Sequence, residues 1–156
     1  KSFRATVLPS GESISADPLD AWCPTTDTLS DYILDPDPAV VRSGLLDTVG
    51  EMHSLQRLDK EDEYLTGSAI PRTAFVQGFA IEAVLGNNPR ELKRFLRANP
   101  GRDYEIKCRH LSVDANKIRK QLPRGDGPIK VLFYARKAGR AAVVVARRTK
   151  NGEITE

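Results

Sequence analysis

IPRTAFVQGFAIEAVLGNNPRELKRFLRANPG runs from Ile70 to Gly101. In its second part, Arg90, Lys93, Arg94 and Arg97 gather on one side of a helical wheel. Leu92, Phe95 and Leu96 gather on the other. Asn88 is a good cap, Pro89 suits the first helical position, and Asn99-Pro100-Gly101 ends the run, which predicts a helix over 89–98. The first part, 70–86, is apolar on most sides, with Pro71 in a plausible first turn and Gly86 as a plausible stop. That pattern predicts a buried helix, although Gly78 weakens its middle. Two helices joined at Gly86–Asn88 form a candidate helix-turn-helix with 89–98 presenting its basic side.

Working outward, DYEIKCRHLSV (103–113) alternates and reads as a strand. Its core-facing side would carry Tyr104, Ile106, Cys108 and His110. DANKIRKQL (114–122) reads as a short basic helix carrying Lys117 and Lys120. IKVLFYAR (129–136) and AAVVVARR (141–148) flank KAGR, so a hairpin over 129–148 is expected, with Ala138-Gly139 at its tip. Its register pairs Phe133 with Val144, Val131 with Ala146, Tyr134 with Val143 and Lys130 with Arg147. Arg136, Lys137, Arg140, Arg147 and Arg148 lie near its tip and base, so it could serve as a wing. Tyr134 could stack an unpaired base between cations, or pack under a helix with its hydroxyl at the rim.

Toward the N-terminus, FRATVL (3–8) reads as a strand. Residues 9–38 hold five prolines, and with many Asp, Ser and Thr they read as loop, with a helical turn near 28–34. Asp37-Pro38 opens an expected helix over 38–58. RLDKEDEY (57–64) reads as a solvated charged link, and a boundary is placed near residue 65. The fold class expected is therefore α+β. An acidic, loop-rich arm with one long helix (1–64) precedes a basic helical and β-hairpin domain (65–156) of winged-helix-like form.

Charge supports that division. The net charge is only +3, yet residues 1–63 sum to −8 and residues 64–156 to +11. Such segregation suits a basic part that meets a polyanion, or an acidic arm that folds back on its own basic half. The arm could also dock a protein partner or mediate self-association.

Apolar runs are too short to span a bilayer, so no membrane partner is expected. Cys23 and Cys108 sit in no metal-ligand spacing and read as reduced thiols of an intracellular or virion protein. The chain starts at Lys1, and its first residues say nothing about a leader. No nucleotide-binding loop, calcium loop or catalytic signature occurs, so neither cofactor nor metal is expected. The leading reading is a non-catalytic nucleic-acid-binding protein, for DNA or RNA. Its contacts would be Arg90, Lys93, Arg94, Arg97, Lys117, Lys120, Arg136, Lys137, Arg140, Arg147 and Arg148. The alternatives are an interaction module of a viral or phage assembly or a secreted effector, and a small metal-independent ribonuclease around His110.

Overall fold

The computed structural model of the protein describes residues 1–149. A small hairpin, β1 (Phe3–Thr6) and β2 (Ser13–Ala16), comes first, then β3 (Tyr32–Pro36) and two short helices, α1 (Pro38–Arg42) and α2 (Leu46–Met52). Strands β4 (Gln56–Arg57), β5 (Leu65–Gly67) and β6 (Val76–Gly86) follow, then α3 (Pro89–Ala98) and β7 (Tyr104–Cys108). Helix α4 (Ala115–Gln121) and the hairpin β8 (Lys130–Lys137) and β9 (Arg140–Arg148) complete the described chain. Seven strands form one sheet in the order β4-β5-β3-β6-β9-β8-β7. Among the described strands of this sheet, only β7 and β8 pair in parallel. Strands from both sides of residue 65 share this sheet, and the expected helix-rich, winged-helix-like α+β arrangement is replaced by a mixed sheet with few helices.

The largest correction concerns 70–86. Val76–Gly86 is a central strand, paired with β3 on one side and β9 on the other. Its first half is buried at Val76 and Gly78–Ala80, while Gln77, Glu82 and Val84 are exposed, so the run looks as apolar as a buried helix without being covered throughout. A bulge between Ile81 and Ala83 also shifts the alternation by one residue. Phe79 and Ile81 thereby face one core layer, and Ala83 and Leu85 the other. With strand β6, not a helix, directly before α3, there is no helix-turn-helix over 70–98. The hairpin is no wing either, because β9 lies inside the sheet.

The expected helix 38–58 breaks at Gly44, whose φ of +77° a helix does not accommodate. Leu55 and Leu58 leave the helical stripe and enter the core from a loop beyond α2. The proposed turn near 28–34 is instead the entry to β3. By contrast, α3, β7, α4 and the hairpin lie close to their expected places, and the hairpin has the expected register. Its tip, Ala138-Gly139, takes positive φ at both positions (50° and 78°), the geometry that a two-residue turn needs to match strand twist.

One core layer joins Ile33, Tyr64, Phe79, Phe133 and Val144 on one face of the sheet. On the other face, Leu92 and Leu96 of α3 and Leu122 beyond α4 cover Leu132, Tyr134, Val143 and Val145. A third cluster packs α1, α2 and the first hairpin against Leu34 and Leu65. The sheet curls strongly. Strands β3 and β7 are separated by three others in the order, yet Asp35 accepts from Arg109 Nη2 at 2.8 Å and from Lys107 Nζ at 3.2 Å. Arg109 also lies over the Tyr64 ring, 5.6 Å from its centroid. The acidic first part thus folds back on the basic second part.

Candidate nucleic-acid interface

Helix α3 is built locally as its sequence predicts. The Asn88 side chain accepts from the N–H of Arg90 and Glu91, satisfying free amides of the first turn. Leu92 and Leu96 are buried beneath it. Arg90, Arg94 and Arg97 are exposed and Lys93 is half-buried. On α4, capped by Asp114, Lys117 and Lys120 are exposed. None of these six side chains makes a hydrogen bond or ion pair among the described residues.

The hairpin set divides. Gly86 pairs with Ala142, which puts the tip at the same end of the sheet as the start of α3. Arg140 is exposed there, Lys137 Nζ donates to the Asp27 carbonyl at 3.1 Å, and Arg136 lies near Asp59. Arg147 and Arg148 lie at the far end and line an open groove of about 980 Å³ with Arg102, Asp103 and Arg119. Charges there are engaged: Arg148 bonds Glu105 at 2.6 Å, while Arg119 and Arg124 reach Asp103 at 3.2 and 3.4 Å. The Tyr104 N–H and Arg119 hold the Asp103 carboxyl below the usual carboxylate range. Among the described residues, the largest group of cations without a hydrogen bond or ion pair lies on α3 and α4, with Arg140 at the hairpin tip, while Arg42, Lys60, Arg72 and Arg102 are unpaired singly elsewhere.

Tyr134 is not on an open sheet face. It is 5% exposed beneath α3 and α4, where burial pushes its phenol up. Lys130, four residues earlier on β8 and opposite Arg147, is buried and donates to Glu82 at 2.8 Å. Between the two helices a crevice of about 180 Å³ remains, with Leu92, Ile118, Tyr134 and Val143 in its lining and Asn87 and Gln121 among the residues around it. Sequence reasoning missed these amides, because uncharged carboxamides in a cap and a helix end leave no periodic signal.

His110 stands outside β7 and is exposed, against the expectation of a core-facing imidazole, because the strand ends at Cys108. Its Nε2 lies 2.5 Å from a Glu63 oxygen. Asp62, Glu63 and His110 offer possible ligand atoms within 4.8 Å of one another. Asp62, however, is fully buried, and its two oxygens accept the N–H of Glu63 and of Arg136. This trio closes the sheet's polar seam. Cys23 is buried, its thiol pushed up to about 11 by burial and by nearby Asp47, and Cys108 is exposed; both are free.

Residues 76–148 match the model of the THUMP domain-like family. Over 144 residues, 92% of its length, the chain is 35% identical to uncharacterized S-adenosylmethionine-dependent methyltransferases of Mycobacterium tuberculosis, strains CDC 1551 / Oshkosh and ATCC 25618 / H37Rv. The chain spans 39% of the length of those relatives. A crystal structure of a candidate methyltransferase from Porphyromonas gingivalis W83 shares the fold, with a TM-score of 0.74 at 21% identity over 92% of this chain and 36% of that one. These likenesses overturn the readings as a non-catalytic nucleic-acid-binding protein, an interaction module of a viral or phage assembly, a secreted effector and a small metal-independent ribonuclease.

One recurring cradle for a nucleotide cofactor is a glycine-rich turn from a parallel strand into a helix. Here the turn into α3 holds one glycine, Gly86, and follows an antiparallel strand. No helix among the described residues is long and apolar enough to cross a membrane.

Proposed function

We propose that this chain recognises RNA for an S-adenosylmethionine-dependent methyltransferase. THUMP-like domains are associated with RNA, and the methyltransferase description belongs to relatives of which this chain spans 39%. The observation that carries the reading is the set of unpaired cations Arg90, Lys93, Arg94, Arg97, Lys117 and Lys120 on helices that cover one face of the sheet. Cations without internal partners can neutralise phosphates and release counterions at no cost to the fold. The acidic first part engages Lys107, Arg109 and His110 and leaves these six unscreened. Methyl transfer itself is assigned to no residue here.

The test is RNA affinity across a salt series. The triple substitution of Arg90, Arg94 and Arg97 to Gln should weaken binding and flatten the slope of log affinity against log salt by about two, the value for three lost single-strand phosphate contacts. Stability should move by less than about 0.5 kcal/mol for each surface change. Equal affinity and slope in the triple variant would remove α3 from the interface, and no salt-sensitive RNA binding by the unmodified chain would remove the reading.

A further inference from the structure

We propose that the crevice between α3 and α4 takes up one unpaired nucleobase of the RNA. This rests on the RNA-recognition reading and adds to it a preference for unpaired nucleotides over duplex.

The crevice is built for a flat ring. Leu92 on α3 and Ile118 on α4 contribute apolar walls, with Val143 and Tyr134 from the sheet below. At about 180 Å³ it is smaller than the ~300–1,000 Å³ of pockets that hold drug-sized ligands, so a base fits and a whole nucleotide cofactor does not.

Its polar groups are uncommitted. Tyr134 is 5% exposed, and its hydroxyl has no hydrogen-bond partner among the described residues. Two other buried hydroxyls are bonded internally, while those of Tyr64, 1% exposed, and Thr48 also have no partner among the described residues. Tyr104 donates to the Pro123 carbonyl and accepts the Gly101 N–H, and Thr66 donates to the Tyr32 carbonyl. The Tyr134 hydroxyl is not sealed from solvent, so it is reachable from the crevice that Tyr134 lines, and a ligand atom there can replace water. The carboxamides of Asn87 and Gln121 are likewise unbonded among the described residues, and such groups read base edges. Lys93 also borders the crevice, and Arg90, Lys117 and Lys120 are carried on the same two helices, matching a phosphodiester on either side of an inserted base. That charge favours a nucleic acid over an apolar protein segment.

The experiment compares an RNA hairpin carrying iodouridine in its loop with a blunt RNA duplex. Affinities are measured at fixed salt for the unmodified chain, Tyr134→Phe and Gln121→Trp, and photocrosslinks are mapped by mass spectrometry. The loop RNA should bind more tightly than the duplex and crosslink to Tyr134 or its crevice neighbours. Tyr134→Phe keeps the ring and should lose about fivefold affinity for the loop RNA and none for the duplex, the worth of one hydrogen bond. Gln121→Trp, an exposed position that would cap the crevice, should do the same. Equal binding of both RNAs with neither substitution selective, or crosslinks confined to residues outside the crevice, overturns this proposal alone. Failure of both RNAs to bind overturns it together with the RNA-recognition reading.

Discussion

Asp59 and Asp62 hold the far hairpin by its backbone. The Gly139 N–H at the tip donates to Asp59 at 2.6 Å, and the Arg136 N–H donates to Asp62 at 2.8 Å. Sequence alone makes Arg57 to Tyr64 a solvated run, since carboxylates are rarely buried without a partner. Here backbone amides brought from 74 and 80 residues away replace water. Burial pushes the Asp59 carboxyl up, but the N–H groups of Glu61 and Gly139, with Arg136 and Lys60 nearby, hold it below the usual range. A lowered folded value means stability present above the ordinary carboxylate range and lost as pH falls through the folded value. Asp62 runs the other way. Burial outweighs its amide partners and raises its carboxyl, so its contribution is strongest in acid and is lost as pH rises through the raised value. Asp59→Asn should therefore flatten the fall of melting temperature between about pH 5 and pH 3 relative to the unmodified chain. Parallel melting curves across that window would show that Asp59 is not part of the acid response.

At the scale of elements, α3 and the β8–β9 hairpin were legible because neighbouring residues specify them. Asn88 and Pro89 start the helix, and Ala138-Gly139 sets the turn. Strand β6 was not legible, because the layers on both its faces belong to remote segments and its bulge hides the alternation. Gly78 has a use that only the packed strand reveals. A Cβ there would lie 2.6 Å from Ile70 Cγ1 and Cδ1, so β6 passes directly under that side chain. Gly78→Ala should cost about 1–3 kcal/mol in urea unfolding, in the range of overpacked cores. Adding Ile70→Val relieves only part of the crowding, since Cγ2 also stands 2.7 Å away, and should restore part of the loss. An additive double variant would break the proposed contact.

At the scale of the molecule, the charge segregation is a folding device as well as a surface property. Asp35 and Glu63 of the acidic part pair with Lys107, Arg109 and His110 of the basic part and join distant strands of the curled sheet. A fragment starting at Thr66 loses β3, which pairs with β6, and also Ile33 and Tyr64 from the layer over Phe79 and Phe133. It should show no cooperative thermal transition by circular dichroism, because β6 is left with an open edge and an uncovered apolar face. A cooperative, strand-rich melt of that fragment would show that the basic part folds alone. By itself the sequence determined what short-range chemistry can specify: two capped helices, a tight hairpin with its register, the charge asymmetry and the basic residues of α3 and α4. Tertiary structure alone decided that 76–86 is a strand, that buried carboxylates clamp the hairpin, and that a crevice with an unpartnered Tyr134 hydroxyl opens between the helices. Each of these depends on groups far apart in the chain, and the solvation of a side chain is fixed only when those groups meet.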